Sequence, residues 1–122
     1  MLKGVRRRLA SGAHGAAAAL DGVTRQDDVV SLGLASRGGR QVRGNGTLAL
    51  TADALHFFMW VPSDSTVIPL ADITAVDTVR VHAGKTIGGQ LLRVAWRSAS
   101  GEDAIAWRVP DLDGWLAALT TE

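Results

Sequence analysis

The string AGKT, residues 83–86, most invites a chemical reading, because a lysine that follows glycine in a loop can meet a phosphate. A phosphate loop of the Walker type needs a second glycine five residues before its Gly-Lys pair. Counting back from Gly84 gives Val79. The segment also falls between two expected strands, not between a strand and a helix. It reads instead as a tight β-connection in which Gly84, Gly88 and Gly89 supply backbone freedom. The other reactive side chains are equally scattered. His14, His56 and His82 are far apart, and no His, Asp or Glu spacing suggests a metal site. No Gly-x-Ser-x-Gly elbow is present, and with no cysteine there is neither a thiol nucleophile nor a disulfide. The acid pairs Asp27–Asp28 and Glu102–Asp103 fall in expected turns, where solvated carboxylates are ordinary. The expectation is a protein that is not an enzyme and carries no cofactor and no metal.

Two basic groups are better placed for binding. Arg37, Arg40 and Arg43 stand among Gly38, Gly39, Gly44 and Gly46. Guanidinium groups hold phosphate in a bidentate way, and glycine backbone lets amides approach an anion. Lys3, Arg6, Arg7 and Arg8 form a second cluster, beside an apolar stripe of Leu2, Val5, Leu9, Ala13, Ala16 and Leu20 at helical spacing. An amphipathic basic helix of this kind can lie on an acidic membrane. Nucleic acid is the weaker reading, because few aromatic residues interleave with the charges.

Charge distribution supports a basic arm on a mildly acidic body. Residues 1–46 hold eight Lys/Arg and three Asp, net +5, while residues 47–122 hold five Lys/Arg and nine Asp/Glu, net −4. The 122-residue length fits one domain with a sizeable core. No apolar run approaches the roughly 18 residues of a membrane span. AHGAAAAL is a poor signal-peptide core, so the expected location is cytoplasmic, at most peripheral to the inner face of the membrane. The expected organisation is a helical basic segment over 1–24 and a β-rich domain over 25–122.

The remaining pattern is one of short strands. VVSLGLAS (29–36), TLALT (47–51), ALHFFMWV (54–61), TVIPL (66–70), a stretch within 71–82, QLLRVAWR (90–97) and AIAWRV (104–109) read as seven strands. Pro69 lacks a donor and marks an edge. Pro110 stops the last strand, and Asp111 is placed to cap a final helix with Leu112, Trp115, Leu116 and Leu119 on its apolar stripe. The expected core is Leu48, Leu50, Leu55, Phe57, Ile68, Leu70, Val94, Trp96, Ile105, Trp107, Trp115 and Leu119.

Strand 54–61 raises a question of its own. Alternation puts Leu55, Phe57 and Met59 on one face, and His56, Phe58 and Trp60 on the other. Large apolar groups on both faces imply that the second face is covered, by the N-terminal helix or by a partner.

The blocks GNGTLALTADALHFFMW, IPLADITAV, GKTIGGQLLRVAW and AWRVPDLDGWLAAL, together spanning about residues 44–120, resemble the bacterial pleckstrin-homology-like (PH-like) and GRAM-like domains. The resemblance implies a partly open seven-stranded barrel of two near-orthogonal antiparallel sheets, capped by the C-terminal helix. It implies no catalytic residue. Members of the wider superfamily bind phosphoinositides, other acidic lipids or proteins. Lipid binders use basic residues of the first hairpin loop, which here means Arg37, Arg40 and Arg43. The function expected is a non-catalytic interaction module that binds protein or self-associates through His56, Phe58 and Trp60. The alternative is peripheral binding of acidic lipid or phosphoinositide head groups.

Overall fold

A computed structural model describes residues 15–36, 44–60, 64–82 and 89–120. Its elements are seven strands and a closing helix: β1 (Arg25–Leu34), β2 (Gly44–Leu50), β3 (Ala54–Met59), β4 (Asp64–Pro69), β5 (Ile73–Val79), β6 (Leu91–Ser98), β7 (Gly101–Arg108) and α1 (Leu112–Thr120). A single 3-10 turn, Leu70–Asp72, joins β4 to β5. All neighbouring pairs are antiparallel, in the order β4-β3-β2-β1-β7-β6-β5. Because β1 pairs with both β2 and β7, hydrogen bonding runs unbroken through one sheet, with β4 and β5 as its free edges. Pro69 ends the edge strand β4, where a missing donor breaks no ladder.

The sheet curls around its inner face. Phe57 on β3 and Trp107 on β7 are separated by three strand spacings, about 14 Å in a flat sheet. Their rings nevertheless meet edge to face, with centroids 5.7 Å apart. Ile68 from one edge strand and Ile73 and Val76 from the other pack into the same cluster. That cluster also holds Leu48, Leu50, Leu55, Phe57, Val94, Trp96, Ile105, Trp107 and Trp115. Leu70 and Leu119 pack against it half-buried. Two register shifts make the fit. On β5, one extra residue between Ile73 and Ala75 lets Ile73 face Trp96 while Val76 faces Val94, so both turn inward. On β1, the shift between Ser31 and Leu34 is carried by Gly33 at φ +94°, whose N–H donates to Ser31 Oγ.

Helix α1 closes the open side. Asp111 caps it as expected: its Oδ1 accepts the Gly114 N–H, and its carbonyl accepts the Trp115 N–H. Trp115 is fully buried, and its indole N–H donates to Asp27 Oδ2 at 2.8 Å. Arg25 bridges the same elements, with its guanidinium 5.3 Å from the Trp115 ring centre and bonded to the Asp111 carboxylate.

Both acid pairs therefore need correction. Asp27 and Asp28 lie inside β1, which starts at Arg25 and not at residue 29. Asp27 is held by Trp115, and Asp28 by the Thr47 hydroxyl. The turn preference of Asp loses because tertiary donors satisfy both carboxylates. Glu102 and Asp103 lie in β7, and Asp103 accepts the N–H and hydroxyl of Ser36. Of the expected N-terminal helical segment 1–24, residues 15–18 make one helical turn with Ala17 buried, residues 19–24 are turn and coil with Gly22 at φ +73°, and residues 1–14 lie outside the described residues.

Candidate functional site

The outer face of the sheet is read most directly from register, since directly paired residues share a face. Phe58 pairs with Thr47 and with Ser65, and Thr47 pairs with Asp28. His56 pairs with Ala49 and with Val67. Trp60 follows β3, and its N–H donates to the Asn45 carbonyl, extending the ladder by one residue. Asn45 pairs with Val30, and Val30 pairs with Arg108. Three cross-strand rows thus lie side by side on one surface.

His56, Phe58 and Trp60 do share that surface, and β2 beneath them is sealed. Thr47 and Ala49 are both fully buried although they point outward. The aromatic rings provide part of this cover. The imidazole of His56 stacks on Phe58, with ring centres 6.2 Å apart and planes 12° from parallel. The Trp60 indole reaches back to β2, where its N–H donates to Thr47 Oγ1 at 3.1 Å. Thr47 in turn donates to Asp28 Oδ1 at 3.1 Å. This Trp60–Thr47–Asp28 relay fixes the indole against the sheet. His56, Phe58 and Trp60 are each half-buried. Burial alone lowers the His56 pKa from its ordinary value of 6.5, so its neutral form is favoured at neutral pH.

The apolar strip continues toward the β4 edge. Val67 is 53% exposed and lies directly across from His56. It and Val81 are the exposed large hydrophobic residues among the described residues. In the other direction the surface opens into a groove of about 480 Å³, lined by Asp28, Val29, Val30, Asn45, Trp60, Arg108 and Pro110. Sequence reading missed this groove. Its rows depend on the β1–β7 pairing, which joins residues nearly eighty positions apart and leaves no local pattern.

The basic candidates Arg37, Arg40, Arg43, Lys3, Arg6, Arg7 and Arg8 lie outside the described residues, as do Gly84, Gly88 and the rest of the AGKT loop. The ends of the arginine loop are anchored. Ser36 is held by Asp103 beside the β6–β7 hairpin, and Gly44 pairs with Ser31. Among the described residues no three His, Asp or Glu side chains come together in a metal-ligating group. No described helix is long and apolar enough to cross a membrane.

No protein-family model matches the chain, and no curated protein matches it. A solved structure does: the C-terminal domain of an unknown protein from Leishmania infantum, with a TM-score of 0.57 and 15% sequence identity, over 98% of this chain and 94% of that one. At that identity the likeness extends to the fold: a mostly β domain of seven antiparallel strands closed by a C-terminal helix.

Proposed function

We propose that this chain is a non-catalytic interaction module of PH-like type, which binds a protein or a second copy of itself through the outer face of β3 and β4. The PH-like assignment is supported by the strand order, the curl that brings both edge strands onto one core, and the helix that closes the open side. In that reading the two halves of the sheet, β1–β4 and β5–β7, correspond to the two near-orthogonal layers of a partly open barrel.

The observation that carries the interaction reading is the strip Phe58–His56–Val67. An exposed valine on an edge strand continues a pair of stacked, half-exposed rings. Contiguous apolar surface beside a free sheet edge favours association, because burying it removes apolar area from water and satisfies edge backbone groups. Mass measurement over a concentration series tests self-association. The expected result is a salt-insensitive rise in mass with concentration that Phe58→Asp abolishes. A wild-type chain that stays monomeric throughout, and behaves as the variant does, removes self-association and leaves only a different protein partner.

The second reading, binding of acidic lipid or phosphoinositide head groups, rests on the +5 charge of residues 1–46. Arg37, Arg40, Arg43 and the N-terminal cluster would then face an acidic membrane, with the chain cytoplasmic and peripheral. Co-sedimentation with phosphatidylserine vesicles separates the two, since electrostatic binding fades as salt rises and apolar association does not.

A further inference from the structure

The groove beside Trp60 has a polarity that the apolar strip lacks. Its lining includes one cross-strand row, Trp60–Asn45–Val30–Arg108, which crosses four strands from β3 to β7. At one end stands the Trp60 indole, fixed by its bond to Thr47. Val30 and Pro110 are apolar lining residues between the two ends. At the other end stands Arg108, whose exposed side chain makes no hydrogen bond or ion pair with any described residue. Asn45 lies between, with amide donors to spare for a ligand.

This arrangement selects a ligand class. A lone guanidinium fork matches a carboxylate in a bidentate way. Among the described residues the walls hold one Arg and one Asp. Asp28 lies one row over, and its Oδ1 accepts the Thr47 hydroxyl near the indole end. A ligand would lie with its apolar body on the Trp60 indole and its acid toward the Arg108 guanidinium. The volume of about 480 Å³ suits a small molecule or a chain end of one or two residues.

We propose that this groove is a binding site for a carboxylate carried on an aromatic or aliphatic body, with Arg108 holding the acid and Trp60, Val30 and Pro110 holding the body. The site goes beyond the association face: it shares Trp60 with that surface but does not require Phe58 or Val67.

The test is a titration of the isotope-labelled full chain, followed by its amide and indole N–H resonances. The Trp60 indole signal is assigned by its loss in Trp60→Phe. The probes are 3-phenylpropionate, its neutral carboxamide, and the dipeptide N-acetyl-Ala-Phe as free acid and as amide. A saturable shift centred on the Trp60 indole and on the Val30 and Asn45 amides is expected with the acids. The carboxamides should bind at least about tenfold more weakly, and Arg108→Gln should weaken the acids by a similar factor, as loss of a charge-assisted pair does. Arg108 is exposed, so this variant is expected to keep the wild-type spectrum elsewhere. Binding of the dipeptide acid supports a protein C-terminus as the natural source. Binding of phenylpropionate alone supports a free small acid. Equal binding of acids and amides, equal binding by wild type and Arg108→Gln, or no saturable shift with any acid would each overturn the proposal. None of these outcomes depends on whether the chain self-associates.

Discussion

Strand β2 has two faces that are both buried, for different reasons. Leu48 and Leu50 point inward and meet a closed core of aliphatic and aromatic groups completed by Trp115 from α1. Thr47 and Ala49 point outward and are sealed with the help of rings that themselves stay half-exposed. Inside, most contacts are apolar, and the polar groups among the described residues include Asp27 bonded to the Trp115 indole, buried Ser31 and the buried indole N–H of Trp107. Outside, apolar rings are held by a polar relay, Trp60 to Thr47 to Asp28, and by the stacking of His56 on Phe58. The inner face is therefore specified by volume, and the outer face by hydrogen-bond geometry. A surface of the second kind can hold rings rigid while leaving them available to a partner.

Truncation of Trp115 should break the inner face most severely. Trp115→Ala removes the largest contribution of α1 to the core, the bond to Asp27 and the ring beneath Arg25. A loss of about 3–5 kcal/mol in unfolding free energy is expected from denaturant titration. A variant that melts like wild type would mean that α1 does not close the core.

The corresponding outer change should be milder. Thr47→Val keeps shape and removes the hydroxyl that links Trp60 to Asp28. The loss should be on the order of 1 kcal/mol, because the half-exposed indole N–H can turn to water. The sharper readout is motion. The Trp60 indole should become more mobile by nuclear relaxation while Trp107 and Trp115 stay unchanged. An unchanged Trp60 would show that packing alone holds the ring.

The two faces also differ in how far the sequence exposed them. Period-two alternation in LRVAW and AIAW marked Val94, Trp96, Ile105 and Trp107 as inward, and Asp111 followed by an apolar stripe marked the capped helix. Such signals are local and survive without knowledge of partners. The even-numbered residues of β3 were also legible as a second apolar face. The groove was not, since Arg108 becomes a neighbour of Val30 only through a long-range pairing. Asp27 and Asp28 misled for a related reason: their local preference is for turns, and only Trp115 and Thr47, distant in sequence, make a strand acceptable there. Leu32, Leu91 and Ala106, a small buried cluster apart from the main core, were missed in the same way, because β1 meets β7 only in three dimensions.

The smallest expected effect concerns the pin between α1 and β1, and its signature is pH. Asp111 is held below its ordinary pKa of 3.8, first by the Gly114 N–H and then by the Arg25 guanidinium. A carboxylate with a depressed folded-state pKa contributes stability that is fully present above the unfolded value and is lost as pH falls through the folded one. Asp111→Ala should therefore lower stability by a constant amount above about pH 4, with the difference from wild type shrinking on further acidification. The other carboxylates titrate in both proteins and cancel in the difference. Because the pair is exposed and salt-screened, the gap should be small and should narrow in high salt, leaving the capping contribution of the Gly114 bond. A difference that stays constant into strong acid would mean that the charge on Asp111 contributes nothing to holding the helix, and that its side chain acts only as an uncharged cap.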